Sequence, residues 1–448
     1  MNQSDGRAPF LVVSLPIQHA ADPAGFARLA RDAGARMVEI RLDRTPGIAP
    51  FDAALPLLFS PRGAEIPGGL RQGLDGLDLD RDLDSKQPAP PPDFVPLVRS
   101  FHDHAGTPSE AELLRIGGEL RQRGATLVKL AVTATSYGDL ERLDAVRAAL
   151  LQQGPTVVHA MGPLAELERV RSPWRNTWTY STLDSATGSA PGQLELARHL
   201  ALAAPTEPAI FGVAGSPQAV ARSGGPALHN RWFAERGQHA HYLRFPLDNP
   251  VADFKALRAL GVRGLSVTTP AKLAAFQASD DQDDGARATS SANTLLLGRR
   301  VRALQLDTAG IVGGYPELRG FGPVAIVGTG GVVPTVLLAG QRLGWRNVTV
   351  FGRNRERARE LAGRFDARAA PLEQLGEQRP ALLVWCLPMD LEDLALPNGP
   401  GRALDLRYGQ TSPFLERARA AGFSGLDGQA MFEAQARAQS DAFAEAAD

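Results

Sequence analysis

The sequence predicts an α/β chain. A parallel (β/α)8 barrel with a thin helical coat comes first, then a second α/β region built around a strand, glycine turn, helix and strand. Three observations carry this prediction. Eight short apolar runs recur along the first part of the chain, several followed by helical periodicity, and such alternation implies a parallel sheet. The stretch Ala203-Ala-Pro-Thr-Glu-Pro then breaks the pattern. Beyond it, Pro323-Val-Ala-Ile-Val-Gly-Thr-Gly-Gly leads through a helical stretch into Asn347-Val-Thr-Val-Phe-Gly-Arg, a βαβ unit of the dinucleotide-binding kind.

The eight strand candidates are Leu11–Leu15, Met37–Asp43, Leu55–Ser60, Leu77–Leu83, Val95–Phe101, Leu127–Thr133, Thr156–Ala160 and Thr177–Leu183. Helices are expected over Pro23–Ala33, Glu110–Arg123, Leu140–Gln152 and Leu194–Ala203. Between Asp43 and Val95 the connections are short and rich in Gly and Pro, which leaves little room for full helices and trims the coat on that side. The second region opens with strands at Ile210-Phe-Gly-Val and Gly264-Leu-Ser-Val-Thr.

At 448 residues the chain exceeds the roughly 250–300 at which a single core stops growing, so two or three domains are expected. Lys and Arg number 48 against 49 Asp and Glu, a formal net charge of −1, and no pull toward nucleic acid or an anionic membrane is expected. The one cysteine, Cys386, forms no internal disulfide. The opening Met-Asn-Gln-Ser-Asp-Gly-Arg makes a poor signal peptide, and no run approaches the ~18 apolar residues of a membrane span. A cytoplasmic protein is expected.

In the first half, Val38-Glu-Ile-Arg-Leu-Asp puts Glu39, Arg41 and Asp43 on one strand face. Near the C-terminal end of a barrel strand such charges line a site; on an edge strand they are only solvated. Lys129 stands alone in the apolar strand Thr126-Leu-Val-Lys-Leu-Ala-Val-Thr. Burial favours the neutral amine, which a Schiff-base nucleophile needs, whereas a lysine at a strand end snorkels to water. Ser100-Phe-His-Asp-His brings histidines to the end of the preceding strand, within reach of Lys129 as a general base.

These segments, with Thr107-Pro and Ser189-Ala-Pro-Gly-Gln, occur in the order found in the type I 3-dehydroquinate dehydratases, which roughly residues 9–200 resemble. The resemblance implies that Lys129 forms an imine with the substrate ketone. His102 then removes the proton at C2 and helps water leave from C1. Asp80 matches the position that orients this histidine, where the family usually has Glu. Glu39, Arg41, Arg62, Arg169, Ser189 and Gln193 match substrate-binding positions, with Arg171 an alternative to Arg169; an arginine fork suits a carboxylate.

In the second half, Gly328, Gly330 and Gly331 form a turn before a helix, where backbone N–H groups cradle a pyrophosphate. The next strand ends in Gly352-Arg-Asn-Arg-Glu-Arg rather than an acid. Arg353 and Arg357 therefore favour a ribose 2′-phosphate, hence NADP(H) over NAD. Upstream, Ser223-Gly-Gly-Pro-Ala-Leu-His-Asn, Val267-Thr-Thr-Pro-Ala-Lys, Ala292-Asn-Thr-Leu and Leu306-Asp-Thr-Ala-Gly are similar to shikimate dehydrogenases, as is Asp427-Gly-Gln-Ala-Met-Phe-Glu-Ala-Gln near the end. This resemblance implies hydride transfer to the C3 ketone of 3-dehydroshikimate, with Lys272 and Asp307 handling the proton. Ser223, Thr268, Asn293, Tyr408 and Gln435 match substrate-binding positions, and Asn354 and Gly428 cofactor-binding ones. Gly225 replaces the family's second serine, and Ser266, Ala271 and Gln305 are further departures.

Together the two resemblances imply a bifunctional enzyme of the shikimate pathway. Residues 1–205 form the dehydratase barrel. Residues 206–448 form a two-lobed dehydrogenase, with a substrate lobe of 206–312 plus 425–448 and a Rossmann NADP-binding lobe of 313–424. No metal is implied. The partners implied are small-molecule substrates, with no nucleic acid and no membrane, and the sequence assigns no oligomeric state. A quinate dehydrogenase in the second half, or a sensor that binds without turnover, are the alternatives.

Overall fold

The computed structural model describes residues 10–48, 51–66, 75–85, 96–184, 186, 193–201, 204–409 and 411–447. They form two compact units, Met1–Ala209 with Lys255–Gly261, and Ile210–Phe254 with Val262–Asp448. The first unit holds strands β1 (Leu11–Ser14), β2 (Met37–Arg41), β3 (Leu57–Ser60), β4 (Gly76–Asp80), β5 (Leu97–Asp103), β6 (Leu127–Thr133), β7 (Thr156–Met161) and β8 (Thr179–Ser181). Its helices are α1 (Pro23–Asp32), α2 (Glu110–Gln122), α3 (Tyr137–Leu151), α4 (Glu166–Arg175) and α5 (Leu196–Ala201).

Each of the eight apolar runs overlaps a strand. The strands pair in parallel in the order β7-β6-β5-β4-β3-β2-β1-β8. The amide of Thr177, just ahead of β8, donates to the carbonyl of Thr156 on β7 at 3.0 Å, so the sheet is nearly closed into a barrel. Strand alternation sorts each strand's residues to inside and outside. Val12, Met37, Leu58, Val98, Leu127, Val157, Trp178 and Tyr180 pack into one buried cluster, the floor of the barrel. On β4 the floor position is Gly76, where a Cβ would come 3.1 Å from Leu58 Cδ1. The outward faces of the first strands pack against α1 through Phe26, Ala27 and Ala30.

Among the described residues no helix lies between β2 and β5. Helix α4 follows no apolar stripe, because its buried positions include Glu168, Arg169 and Arg171 and it contains Pro173. Periodicity of apolar residues therefore does not find it.

The second unit has two six-stranded sheets. The first comprises β9 (Ala209–Gly215), β10 (Ala240–Pro246), β11 (Val262–Val267), β12 (Asp281–Gln282), β13 (Thr294–Leu297) and β14 (Val301–Leu304), ordered β10-β9-β11-β13-β14-β12. In it β13 runs antiparallel to β11 and β14. The other comprises β15 (Val324–Val327), β16 (Val348–Gly352), β17 (Arg368–Pro371), β18 (Leu382–Trp385), β19 (Gly401–Asp405) and β20 (Phe423–Leu426), all parallel in the order β17-β16-β15-β18-β19-β20. The strand order reverses between β15 and β18, the place where open α/β sheets hold a ligand at their carboxyl ends.

Helices α6 (Pro217–Arg222), α7 (Gly225–Glu235), α8 (Pro250–Ala259), α9 (Lys272–Gln277), α10 (Asp284–Thr289) and α11 (Asp307–Gly314) accompany the mixed sheet. Helices α12 (Val333–Leu343), α13 (Arg355–Arg364) and α14 (Pro413–Ala420) accompany the parallel one, and α15 (Gln429–Ala447) closes the chain. Close approach brings α15 back: Cβ atoms at Gly310 and Gly314 of α11 would meet Gln435 Cβ and the Ala430 carbonyl carbon, each at 2.7 Å. On its inner side Gln439 receives a hydrogen bond from Ser266 Oγ (2.8 Å) and donates to the Asn293 carbonyl (3.0 Å). Among the described residues no helix is long and apolar enough to cross a membrane.

Candidate active sites

Above the barrel floor the inward positions turn polar. Lys129 of β6 is buried, and its Nζ donates to Asp78 Oδ2 of β4 at 2.8 Å, lies 3.7 Å from Glu39 Oε1 of β2, and sits 4.3 Å from the centroid of the Tyr180 ring. Burial works against the ammonium, but Asp78 and Glu39 outweigh it and raise its pKa. This corrects the expectation of a resting neutral amine: the apolar strand buries Lys129, and the facing carboxylates hold its proton. Glu39 accepts from Ser14 Oγ (2.5 Å) and Ser60 Oγ (2.9 Å). Burial would raise its pKa, but Lys129, Arg41 and these hydroxyls hold it below the ordinary value.

His102 of β5 packs beside this group. Its Nδ1 lies 2.7 Å from Asp80 Oδ2 and 2.5 Å from Arg62 Nη1, and Arg62 Nη1 also donates to Asp80 Oδ2 at 2.8 Å. Asp80 Oδ1 accepts the amides of Asp82 and Leu83. These bonds, with His102 and Arg62, hold Asp80 far below the carboxylate range despite burial. Burial lowers the His102 pKa, with Lys129 and Arg62 pushing the same way against Asp80. Arg62 stands at φ 54°, a left-handed conformation that is uncommon outside glycine and clusters at functional sites. Asp84 secures that turn by accepting the amides of Arg62 (3.3 Å), Gly63 (2.7 Å) and Asp80 (2.9 Å).

Of the other expected binding residues, Arg41 is forked onto Asp43 by two bonds of 2.8 and 2.7 Å. Gln193 is buried and donates to the Ser181 carbonyl. Ser189 lies outside the described residues. The alternative between Arg169 and Arg171 divides geometrically. Arg171 is engaged by Glu207 and the Leu260 carbonyl. Arg169 is buried with an Nε that has no hydrogen-bond partner, 3.9 Å from Glu168 Oε2. Burial lowers its pKa, and the carbonyl of its own residue accepts from His199 Nε2 at 3.0 Å.

In the second unit a cavity of about 530 Å³ is lined by Ser223, Thr268, Lys272, Asn293, Asp307, Tyr408 and Gln435, every expected catalytic and substrate-binding residue of that half. Lys272 Nζ donates to Asp307 Oδ2 at 2.6 Å, and Asn293 Nδ2 donates to Asp307 Oδ1 at 2.8 Å and to Gln435 Oε1 at 3.2 Å. Tyr408 stacks on Phe432 with centroids 4.4 Å apart. At Gly225 a Cβ would lie 3.1 Å from Ser223 Oγ and 3.4 Å from the Tyr242 hydroxyl oxygen. Tyr242 and His229 also line the cavity, stacked with centroids 4.3 Å apart. His229 lies inside the Ser223 to Asn230 motif, which assigns it no role, and no motif points to Tyr242.

The expected cofactor residues gather at the carboxyl end of the parallel sheet. Gly328 has φ 124°, and a Cβ there would come 3.2 Å from the Cys386 carbonyl oxygen, whereas Gly330 and Gly331 face open space. No side chain caps the start of α12, but the Val333 amide donates to the Gly330 carbonyl (3.1 Å) and Pro334 has no N–H, so an anion there would be held by the amides of the glycine turn rather than by the first two residues of the helix. These features fit a pyrophosphate. Arg353 is exposed at the end of β16. Asn354 caps α13 by accepting the Arg357 amide (3.0 Å), and Arg357 pairs with Glu360 (2.5 Å). Gly428 lines the cavity, and a Cβ there would lie 2.2 Å from the Leu406 carbonyl oxygen.

Comparison with known proteins gives a match in each half. Residues 68–201 match the type I 3-dehydroquinase family, and residues 213–295 match the substrate binding domain of shikimate dehydrogenase. A bifunctional 3-dehydroquinate dehydratase/shikimate dehydrogenase of Arabidopsis thaliana, chloroplastic, is 27% identical over 408 residues, covering 78% of this chain and 66% of the relative. The chain thus spans just under two thirds of that plant protein. Shikimate dehydrogenase (NADP(+)) of Oleidesulfovibrio alaskensis is 32% identical over 255 residues, 51% of this chain and 88% of the relative. Among solved structures, shikimate 5-dehydrogenase of Thermus thermophilus, in complex with NADP(H) and shikimate, is 28% identical with a TM-score of 0.46, over 53% of this chain and 98% of that one.

Proposed function

The chain belongs to the shikimate dehydrogenase family and carries a type I 3-dehydroquinase domain ahead of it. From that premise we propose that it dehydrates 3-dehydroquinate to 3-dehydroshikimate in the first unit and reduces this product to shikimate in the second. The boundary near residue 205, the two lobes of the second unit and the site roles below are part of this proposal, as is action in the cytoplasm.

The observation that carries the reading is Lys129 at the centre of the barrel, with His102 oriented beside it. Once it has lost its proton, the Lys129 amine attacks the C3 carbonyl, and loss of water gives an imine that draws electrons from C2. His102 serves the next two steps because Asp80 fixes its Nδ1 and leaves Nε2 for the substrate. With the proton on Nδ1 the ring donates to Asp80 and leaves the Nε2 lone pair to take the C2 proton. Carrying both protons, the ring keeps its Nδ1–H on Asp80, which Arg62 also holds, and returns the Nε2 proton to the departing C1 hydroxyl. Hydrolysis of the imine then frees the enone and Lys129. Arg169 is the guanidinium best suited to the substrate carboxylate, because its fork is unsatisfied while that of Arg171 is taken. Borohydride added with dehydroquinate tests this: it reduces the imine to a stable adduct that peptide mapping places on Lys129, and an adduct persisting in Lys129→Ala overturns the assignment.

In the second unit, Lys272 and Asp307 face the ketone oxygen and supply its proton, while Asn293 holds Asp307 in place. Ser223, Thr268, Tyr408 and Gln435 orient the ring. NADP(H), when bound, supplies the hydride. The amides of the Gly328 to Gly331 turn receive its pyrophosphate, and Arg353 its 2′-phosphate. A second reading, quinate as substrate, draws on Gly225, which removes one hydroxyl from the carboxylate-binding pair. Rates with quinate and shikimate side by side separate the two.

A further inference from the structure

The interior of the barrel contains a second imidazole that the reaction above does not use. His159 lies on β7, two residues beyond Val157 of the floor, so by strand alternation its side chain points into the same chamber as Lys129. It is 2% exposed, and its ring meets Tyr180 edge-on at 5.9 Å. Tyr180 is the ring that carries Lys129 Nζ 4.3 Å from its centroid, so His159 and Lys129 flank one aromatic wall.

The protonation of His159 follows from its neighbours. Its Nδ1 is 3.2 Å from Glu168 Oε2. Glu168 also accepts from Arg147 Nη2 (2.8 Å) and the Ala160 amide (3.2 Å). Despite burial, which works against it, the carboxylate is held at about 2 by His159, Arg147 and Arg169. An ionised carboxylate only accepts, so Nδ1 carries the proton and donates. Burial, with Arg169 nearby, pushes the His159 pKa down to about 3, so the ring stays neutral. Its Nε2 is therefore a lone-pair acceptor, buried and without any hydrogen-bond partner. Leaving such an acceptor unsatisfied costs about 1–3 kcal/mol, a cost a bound donor removes.

Other unsatisfied buried atoms belong to the same group of residues: Asp78 Oδ1, Ser100 Oγ, Arg62 Nε and Arg169 Nε. Such a set of unused acceptors and guanidinium donors on inward-facing side chains matches a small carboxylate that carries several hydroxyls. We propose that His159, fixed by Glu168, is a binding residue of the first-unit site that accepts a hydrogen bond from a ring hydroxyl of the substrate. The inference rests on the dehydratase reading and adds to it an acceptor on the β7 side, next to Lys129 and apart from the His102 side.

The test uses the full chain with His159→Leu and His159→Gln, measuring KM and kcat for dehydroquinate and borohydride trapping at saturating substrate. In the leucine variant KM is expected to rise about tenfold, as loss of one good hydrogen bond implies, with kcat within threefold and Lys129 still trapped. The glutamine variant, whose amide oxygen reaches toward the same point, recovers most of the loss. Competition by substrate analogues lacking one ring hydroxyl closes the cycle: for one of them wild type loses about tenfold in affinity and the leucine variant loses almost nothing. Unchanged KM in the leucine variant overturns the proposal, and so do equal losses in both variants, which mark a purely structural role. If wild type itself neither turns over dehydroquinate nor forms the adduct, the dehydratase reading fails first and takes this inference with it.

Discussion

Lys129 Nζ lies 2.8 Å from Asp78 Oδ2 inside the barrel, so the residue proposed as nucleophile rests as an ammonium paired with a carboxylate. The pair has a measurable consequence. Asp78 is among the groups that hold the Lys129 pKa up against burial, so Asp78→Asn leaves burial less opposed. The acid limb of the pH profile for borohydride trapping is expected to move to lower pH by about one unit or more, the size of effect a nearby opposite charge exerts. A profile identical to wild type contradicts this account of the pair.

The buried histidines of the first unit set its acid stability. Burial holds His159 at about 3 and His199 at about 4, whereas both titrate near 6.5 once unfolded. Between those values the unfolded chain binds more protons, so stability falls as pH falls, by about 1.4 kcal/mol per pH unit for each histidine. Urea titrations at pH 7 and pH 5, followed by hydrogen exchange in β7 peptides, are expected to show this slope, and His199→Gln is expected to reduce it.

Arg169 and Arg171 are two residues apart and have opposite expected phenotypes. Arg169→Met removes a buried guanidinium with an unsatisfied Nε. KM for dehydroquinate is expected to rise at least a hundredfold while Tm holds or increases, since replacing buried charge by apolar volume is often stabilising. Arg171→Ala breaks the contacts to Glu207 and the Leu260 carbonyl and lowers Tm with KM little changed. Steady-state kinetics and thermal unfolding of both variants check the contrast.

Cofactor choice is expected to rest on Arg353, which is exposed where β16 ends, because Arg357 is paired with Glu360 and Asn354 is occupied as a helix cap. Arg353→Ala is expected to raise KM for NADPH by tenfold or more and to leave that for NADH within twofold. Equal losses for both cofactors contradict the assignment.

Much of this architecture is legible in the sequence because its strands are mostly apolar runs, as in Leu127–Thr133 around Lys129. Such runs are what a strand buried on both faces requires. Lys272, Asp307, Asn293 and Gln435 likewise come from separated motifs and meet in one cavity. Less legible were groups whose meaning depends on a distant partner. Nothing local to Lys129 reveals Asp78, which is 51 positions away, so burial alone gave the wrong protonation state. Helix α4 escaped because its buried side is charged, and His159 and Glu168 escaped with it. Tyr242 belongs to no motif and His229 has no role assigned within its own, and it is the cavity that puts both beside Ser223 and Gly225.

The central claim, that one chain carries out two consecutive steps, is tested most directly by a coupled assay. Wild type given dehydroquinate and NADPH is expected to oxidise NADPH and form shikimate. Lys129→Ala is expected to oxidise NADPH only when dehydroshikimate is supplied instead, while Lys272→Ala converts dehydroquinate to dehydroshikimate and stops there. Shikimate formed from dehydroquinate by Lys129→Ala, or no NADPH oxidation by wild type with either substrate, contradicts the account.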